Sequence, residues 1–110
     1  MDLVKFVLEK KAKKPIILDI REKCNFCDYF VICSAQTTIQ VKAIYEEVLK
    51  KSKEYNYQIH HSESDTEGKW ILVDFFDVFL HIFTDELREF YNLQNLWRDA
   101  KIVRIKRQSQ

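Results

Sequence analysis

The sequence predicts an α/β fold, a single-layer mixed β-sheet flanked by helices, and two observations carry that reading. Apolar runs at 16–20, 29–33, 70–75 and 78–83 are too short for independent helices and suit buried strands. Between them lies one long amphipathic stripe. Strand–helix–strand crossovers imply parallel neighbours, whereas the closely spaced last two runs imply an antiparallel hairpin.

Residues 2–13 are expected to form the first helix. Leu3, Val4, Val7 and Leu8 fall at helical spacing, the basic end suits the helix dipole, and Pro15 stops it. Strands at 16–20 and 29–33 follow. The clearest helix comes next: Thr37 with Gln40 three residues later matches a capping box. Val41, Ile44, Tyr45, Val48, Leu49 and Tyr55 then form one stripe, with Lys42, Glu46, Glu47, Lys50 and Lys53 falling away from it. A helix with one apolar face packs on a sheet. Residues 57–61 are expected as an edge strand, and 70–75 with 78–83 as a hairpin around Phe76 and Asp77. A short acidic-capped helix follows. One Gly and one Pro leave little punctuation, so element boundaries rest on periodicity alone.

The 110 residues are expected to make one domain, 1–110, with no linker and no internal repeat. A 46% hydrophobic and 14% aromatic content favours a folded globule. The net charge of +1 argues against a nucleic-acid binder that relies on bulk positive field. Charge is unevenly placed, however. Residues 1–14 hold five lysines, and Lys101, Arg104, Lys106 and Arg107 make the other end basic, leaving the middle acidic. Solvated ends are the simpler reading of this pattern, RNA contact the functional one. No apolar run is long enough to span a membrane, and the start of the chain has neither a secretory h-region nor an arginine-rich transit pattern. With Cys24, Cys27 and Cys33 alone, the chain reads as cytoplasmic and reduced.

Candidate chemistry is sparse. Cys24-x-x-Cys27 lacks the second ligand pair that zinc needs. Cys33 falls in an apolar strand, and the adjacent His60 and His61 point to opposite faces of any strand. Asp74 and Asp77 with His81 nearby invite an acid–base reading, but aspartates flanking a tight turn more often cap its N–H groups. His81 shares strand parity with Phe79 and Phe83, so it reads as half-buried and hydrogen-bonded. A single Gly, at position 68, excludes a glycine-rich phosphate loop. Neither metal nor cofactor is expected, and catalysis is not. Trp70, Leu93, Leu96 and Trp97 stand at element ends, where large apolar groups serve either as core or as interface anchors.

Several segments, taken together and in order, resemble the ribosomal silencing factors (RsfS, the Iojap-related family). They are Leu18-Asp19-Ile20, Asp28-Tyr29-Phe30-Val31-Ile32, Gln40-Val41-Lys42-Ala43-Ile44, Glu67-Gly68-Lys69-Trp70-Ile71-Leu72-Val73-Asp74, Asp77-Val78-Phe79-Leu80-His81-Ile82-Phe83 and Arg88-Glu89-Phe90-Tyr91-Asn92-Leu93-Gln94-Asn95-Leu96-Trp97. The match runs from about residue 15 to about residue 99. The resemblance implies a nucleotidyltransferase-like α/β fold in a bacterial protein without enzyme activity. Where such enzymes carry a Gly-Ser pair, this chain has Ser34-Ala35-Gln36 in the turn after its second strand. The implied function is repression of translation: binding the large ribosomal subunit through ribosomal protein fourteen and sterically blocking the small subunit, with help in large-subunit biogenesis as a further role. A homodimer is an implied partnership, and the basic termini are left a minor contact with ribosomal RNA. The alternative is a divergent nucleotidyltransferase-like, nucleotide-binding enzyme.

From anchor type and motif position, the ribosomal-protein interface is expected at Trp70, Asp74, Phe75, Phe76, Asp77 and His81, joined or braced by Leu93, Leu96 and Trp97. The chain departs from the family's usual glycines at Ala35, Asn56, Ser64 and Phe76, and from its usual acidic pair at Asn92 and Gln94. Asn56 tolerates a left-handed backbone, whereas Phe76 does so only at a cost. Either the turn at Phe76 differs, or Phe76 is kept as a partner contact.

Overall fold

The computed structural model describes residues 5–7, 10, 12–22, 25, 27–91 and 101–103. Six strands form one sheet: β1 (Lys13–Asp19), β2 (Tyr29–Ala35), β3 (His61–Ser64), β4 (Trp70–Asp74), β5 (Val78–Thr84) and β6 (Lys101–Val103). Their spatial order is β3-β4-β5-β2-β1-β6. From β2 the chain passes through helix α1 (Thr38–Glu54), builds the β3–β4–β5 meander and returns β5 beside β2. β2 and β5 are therefore parallel, from Tyr29 opposite Val78 to Ala35 opposite Thr84, and the other pairs are antiparallel. The mixed sheet read from the sequence is the sheet that forms.

Helix α1 starts and stops by side-chain and backbone capping. Thr37 Oγ1 accepts the Gln40 N–H at 3.2 Å, and Gln40 Oε1 accepts the Gln36 N–H at 3.3 Å. At the other end Asn56 takes φ +60°. There the Tyr57 N–H reaches Ser52 O at 2.8 Å and the Asn56 N–H reaches Lys53 O at 3.4 Å, the paired bonds of a left-handed helix stop. Val41, Ile44, Val48 and Ser52 are its buried stripe, and Tyr55, expected on that stripe, is exposed.

Three boundaries differ from expectation. Lys13 already lies in β1, opposite Ser34, so the expected helix at 2–13 does not extend that far; residues 5–7 are helical. Pairing with β2 captures Lys13, with φ +46° at Lys14 and an irregular register between Lys13 and Ile16. The edge strand is His61–Ser64 rather than 57–61, because it is placed by its pairing with β4 and by the Asp65–Gly68 turn, not by its own apolar content. Finally, Ser34 and Ala35, expected in a turn, continue β2, and Lys101 belongs to β6, opposite Asp19.

The sheet buries both faces. On one, Val31, Cys33, Ala35, Leu80, Ile82, Ile71 and Val73 pack with α1 and with Phe6 and Val7. On the other, Leu18, Phe30, Ile32 and Phe83 form a second cluster with Trp70, Phe79 and Leu87. Leu87 comes from α2 (Asp85–Tyr91), whose Leu87 N–H is capped by Thr84 Oγ1 at 3.3 Å. Strand alternation sorts the residues between these faces.

Candidate functional site

Trp70, Leu72 and Asp74 stand on one face of β4, and Phe79, His81 and Phe83 on the same face of β5, paired Trp70–Phe83, Leu72–His81 and Asp74–Phe79. Phe30 and Ile32 extend this face across β2, and His61 and Glu63 extend it across β3. It is the face turned away from α1. Trp70, Leu72, Asp74 and Phe79 are half-buried there. Trp70 is half-buried and packs against the second cluster, so its side chain is both core and surface, and its backbone N–H donates to Asp65 Oδ1 at 3.0 Å.

His81 is the anomaly of the face. It is 8% exposed, lies edge-on to Phe30 and stacks on Phe83 at 6.0 Å, yet neither ring nitrogen has a hydrogen-bond partner among the described residues. The hydrogen-bonded, half-buried histidine expected from parity is therefore corrected: it is buried and unsatisfied. Burial pushes its pKa down to about 4, which leaves the imidazole neutral near pH 7.

The β4–β5 turn supplies the rest. Phe75 N–H donates to Val78 O at 2.9 Å, and Asp77 N–H donates back to Phe75 O at 3.0 Å around Phe76 at φ +75°. This is a γ-turn of the rare, strained kind. The positive φ thus persists although the residue is Phe. Asp74 Oδ1 accepts the Phe76 N–H at 2.7 Å, so Asp74 caps the turn as expected. Asp77 does not: its carbonyl takes the N–H groups of Asp28 and Tyr29, while its exposed carboxylate has neither hydrogen bond nor ion pair among the described residues. Phe76 is 50% exposed with the His60 ring 4.5 Å away, and Phe75 packs on the α1-side core.

The structure thus gathers Trp70, Asp74 and His81 on one face and Phe76 and Asp77 at its lower edge, with Phe75 turned to the other side. Leu93, Leu96 and Trp97 lie outside the described residues, as do Cys24, Asn92 and Gln94. Sequence reasoning missed Leu72, Phe79 and His60. The first two were available from strand parity with Trp70 and His81, but His60 required the register of β3.

Elsewhere, Ser34 lies buried near the end of β2. Its hydroxyl donates to Lys13 O at 3.4 Å and accepts from Arg88 Nη1 at 3.2 Å. It serves there as a link between β1, β2 and α2. A cavity of about 780 Å³ lies beside it, and one of about 400 Å³ lies between α1 and the β3–β4 hairpin. Neither is lined by Trp70, Asp74, Phe76, Asp77 or His81. Burial pushes the Cys33 thiol up to about 12, so it stays protonated. No described helix is long and apolar enough to cross a membrane.

Fold and site together define an α/β domain with a partly aromatic sheet face edged by carboxylates. The sequence model of the family described as "Ribosomal silencing factor during starvation" matches residues 1–110. The chain is 34% identical to ribosomal silencing factor RsfS of Halalkalibacterium halodurans, over 93% of this chain and 87% of that protein. It is 36% identical to RsfS of Bacillus subtilis, over 86% and 80%. A crystal structure of a Bacillus halodurans protein superposes with a TM-score of 0.82 at 32% identity, covering 94% of this chain and 93% of that one. The chain belongs to the ribosomal silencing factor family, and its role is a regulatory one in ribosome-associated silencing of translation.

Proposed function

We propose that this chain represses translation in the cytoplasm, without catalysis, by binding the large ribosomal subunit through ribosomal protein fourteen. The Trp70–Asp74–His81 face and the β4–β5 turn make the contact, and the bound domain keeps the small subunit from joining. The observation that carries this reading is the composition of the face. Half-buried Trp70, Leu72, Asp74 and Phe79 make up the open part of the face, and the exposed Asp77 carboxylate, without hydrogen bond or ion pair among the described residues, stands at its edge.

Steric exclusion needs only bulk and a foothold. The molecule extends 33 × 33 × 32 Å, and a stable foothold takes about 800 Å² per partner. Occupancy then follows concentration and affinity by mass action.

Sedimentation with separated ribosomal subunits at near-physiological salt tests the proposal. The chain should comigrate with the large subunit and reduce the yield of joined ribosomes when the small subunit is added. Asp77→Arg is the cleanest site probe, because that carboxylate makes no contact inside the described fold. Its binding should fall with its melting temperature unchanged. Trp70→Ala should weaken binding too, but with some loss of stability, since Trp70 also packs on the second core cluster. Unaltered binding by both variants would remove this face from the contact.

A further inference from the structure

Strand β3 ends the sheet order among the described strands, and its outer edge is open. The Asp65 N–H donates to Trp70 O at 3.2 Å, and the pairs Glu63–Leu72 and His61–Asp74 follow in step. An antiparallel ladder exchanges its hydrogen bonds at every second residue, so Ser62 and Ser64 turn their N–H and C=O groups away from β4. Neither backbone has another partner among the described residues. Such an edge is a template for one more strand.

The cavity of about 400 Å³ lies along the same edge, on its α1 side. By strand parity Ser62 and Ser64 share that side with Ile71. Buried Ile71 and half-buried Tyr45 line the cavity together with Ile39, which is 81% exposed. The Tyr45 and Ser62 hydroxyls bond at 3.0 Å, which ties α1 to β3 and holds the cavity open before anything enters it.

Two features therefore define one occupant. Unpaired backbone groups call for an extended chain, and a pocket beside the edge takes its alternate side chains. A residue set opposite Ser62 or Ser64 places its side chain at the cavity, where Ile39, Tyr45 and Ile71 suit an apolar group. Its neighbour, opposite Glu63, faces the other side of the sheet, where the carboxylate favours a basic group across the strands. Among the charged residues that line the cavity, Glu63 and Glu67 outnumber Lys42, which gives the edge the same preference.

We propose that β3 receives an extended segment of a protein partner, alternately apolar and basic, as an added antiparallel strand. This docking site uses none of Trp70, Asp74, Asp77 or His81, and it stands independently of the proposed function.

The test titrates the full chain with short synthetic peptides, capped at both ends, in which Val, Ile, Leu or Phe alternates with Lys or Arg. At least one should bind with a Kd below about 1 mM and shift the amide NMR signals of Ile39, Ser62 and Ser64. Methylating the backbone nitrogens of its apolar residues removes the donors that face β3, and should weaken binding roughly tenfold or more. Methylating those of its basic residues should change little, because they face away. Exchanging its basic residues for Glu should abolish binding. Ser64→Pro deletes an outward N–H that β4 does not use and should weaken binding as well, while the methylated peptides put the same question to an unaltered protein. No binding by any peptide, or equal binding by the two methylated sets, would overturn the proposal. So would shifts confined to the Trp70 face. A dimer in sedimentation equilibrium that Ser64→Pro dissociates, with no peptide bound, would overturn the peptide occupant and give the edge to a second copy of the chain.

Discussion

The imidazole of His81 stands edge-on to the ring of Phe30, 4.8 Å between centroids, across the parallel junction of β5 and β2. Among the described residues, neither of its nitrogens has a hydrogen-bond partner in that position. An apolar residue of similar volume would fill the same space without leaving polar atoms unsatisfied, a defect worth about 1–3 kcal/mol. The face therefore keeps a residue that packing alone does not select.

Acid sensitivity follows from that burial. The folded pKa of His81 is lowered from 6.5 to about 4 by desolvation. Between those values the unfolded chain binds the proton and the folded chain does not, so stability falls as pH drops through this window. The loss approaches roughly 3 kcal/mol at its acid end and is absent near neutrality. His81→Leu should flatten this dependence and raise stability near neutral pH. Urea midpoints for both proteins at about pH 7 and about pH 4.5 check it; parallel pH profiles would refute it.

The turn cap is separable from the turn's strain. Asp74→Ala removes the carboxylate that holds the Phe76 N–H, and should cost about 1–2 kcal/mol in denaturant unfolding. Asp74→Asn keeps a side-chain oxygen and should recover most of that. Equal losses in the two variants would show that the oxygen's hydrogen bond is not what stabilises the turn.

Arg88 fastens α2 to the sheet. Its Nη1 donates to Lys13 O at 3.3 Å and to Ser34 Oγ at 3.2 Å, and burial pushes its pKa down. Arg88→Met retains the apolar stem but removes both of these hydrogen bonds, so unfolding free energy should drop by about 1–2 kcal/mol. Ser34→Ala in that background should add little, because the two share one network. A double-mutant cycle measures it, and full additivity would argue against the link.

The two faces of the sheet should respond unequally to truncation. Leu80 is fully buried beneath α1, and Leu80→Ala should cost about 2–5 kcal/mol. Leu72 is half-buried on the opposite face, and Leu72→Ala should cost less than half as much. Thermal melts of the pair decide the matter, and equal losses would mean that the second face is as closed as the first.

Asp74 and Phe76 show where local chemistry was legible. The cap could be read from an aspartate ahead of a tight turn, and the positive φ from the glycine expected at Phe76. Asp77 looked equivalent on paper, yet its carboxylate has no hydrogen bond or ion pair among the described residues, and it is its carbonyl that β2 engages. His60 was invisible for a related reason: its approach to Phe76 depends on β3 pairing with β4 at His61–Asp74, and nothing in a polar edge strand announces that register.

The sequence by itself determined the kinds of element, the caps of α1, the mixed character of the sheet and the family, since periodicity, capping residues and segment order are local properties of the chain. Only the tertiary structure decided where β1 and β3 begin, that Lys101–Val103 joins the sheet beside β1, and that His81 is buried without a hydrogen-bond partner among the described residues. Strand pairing and burial are contacts between distant segments, and their energies are settled by which neighbours the fold brings together.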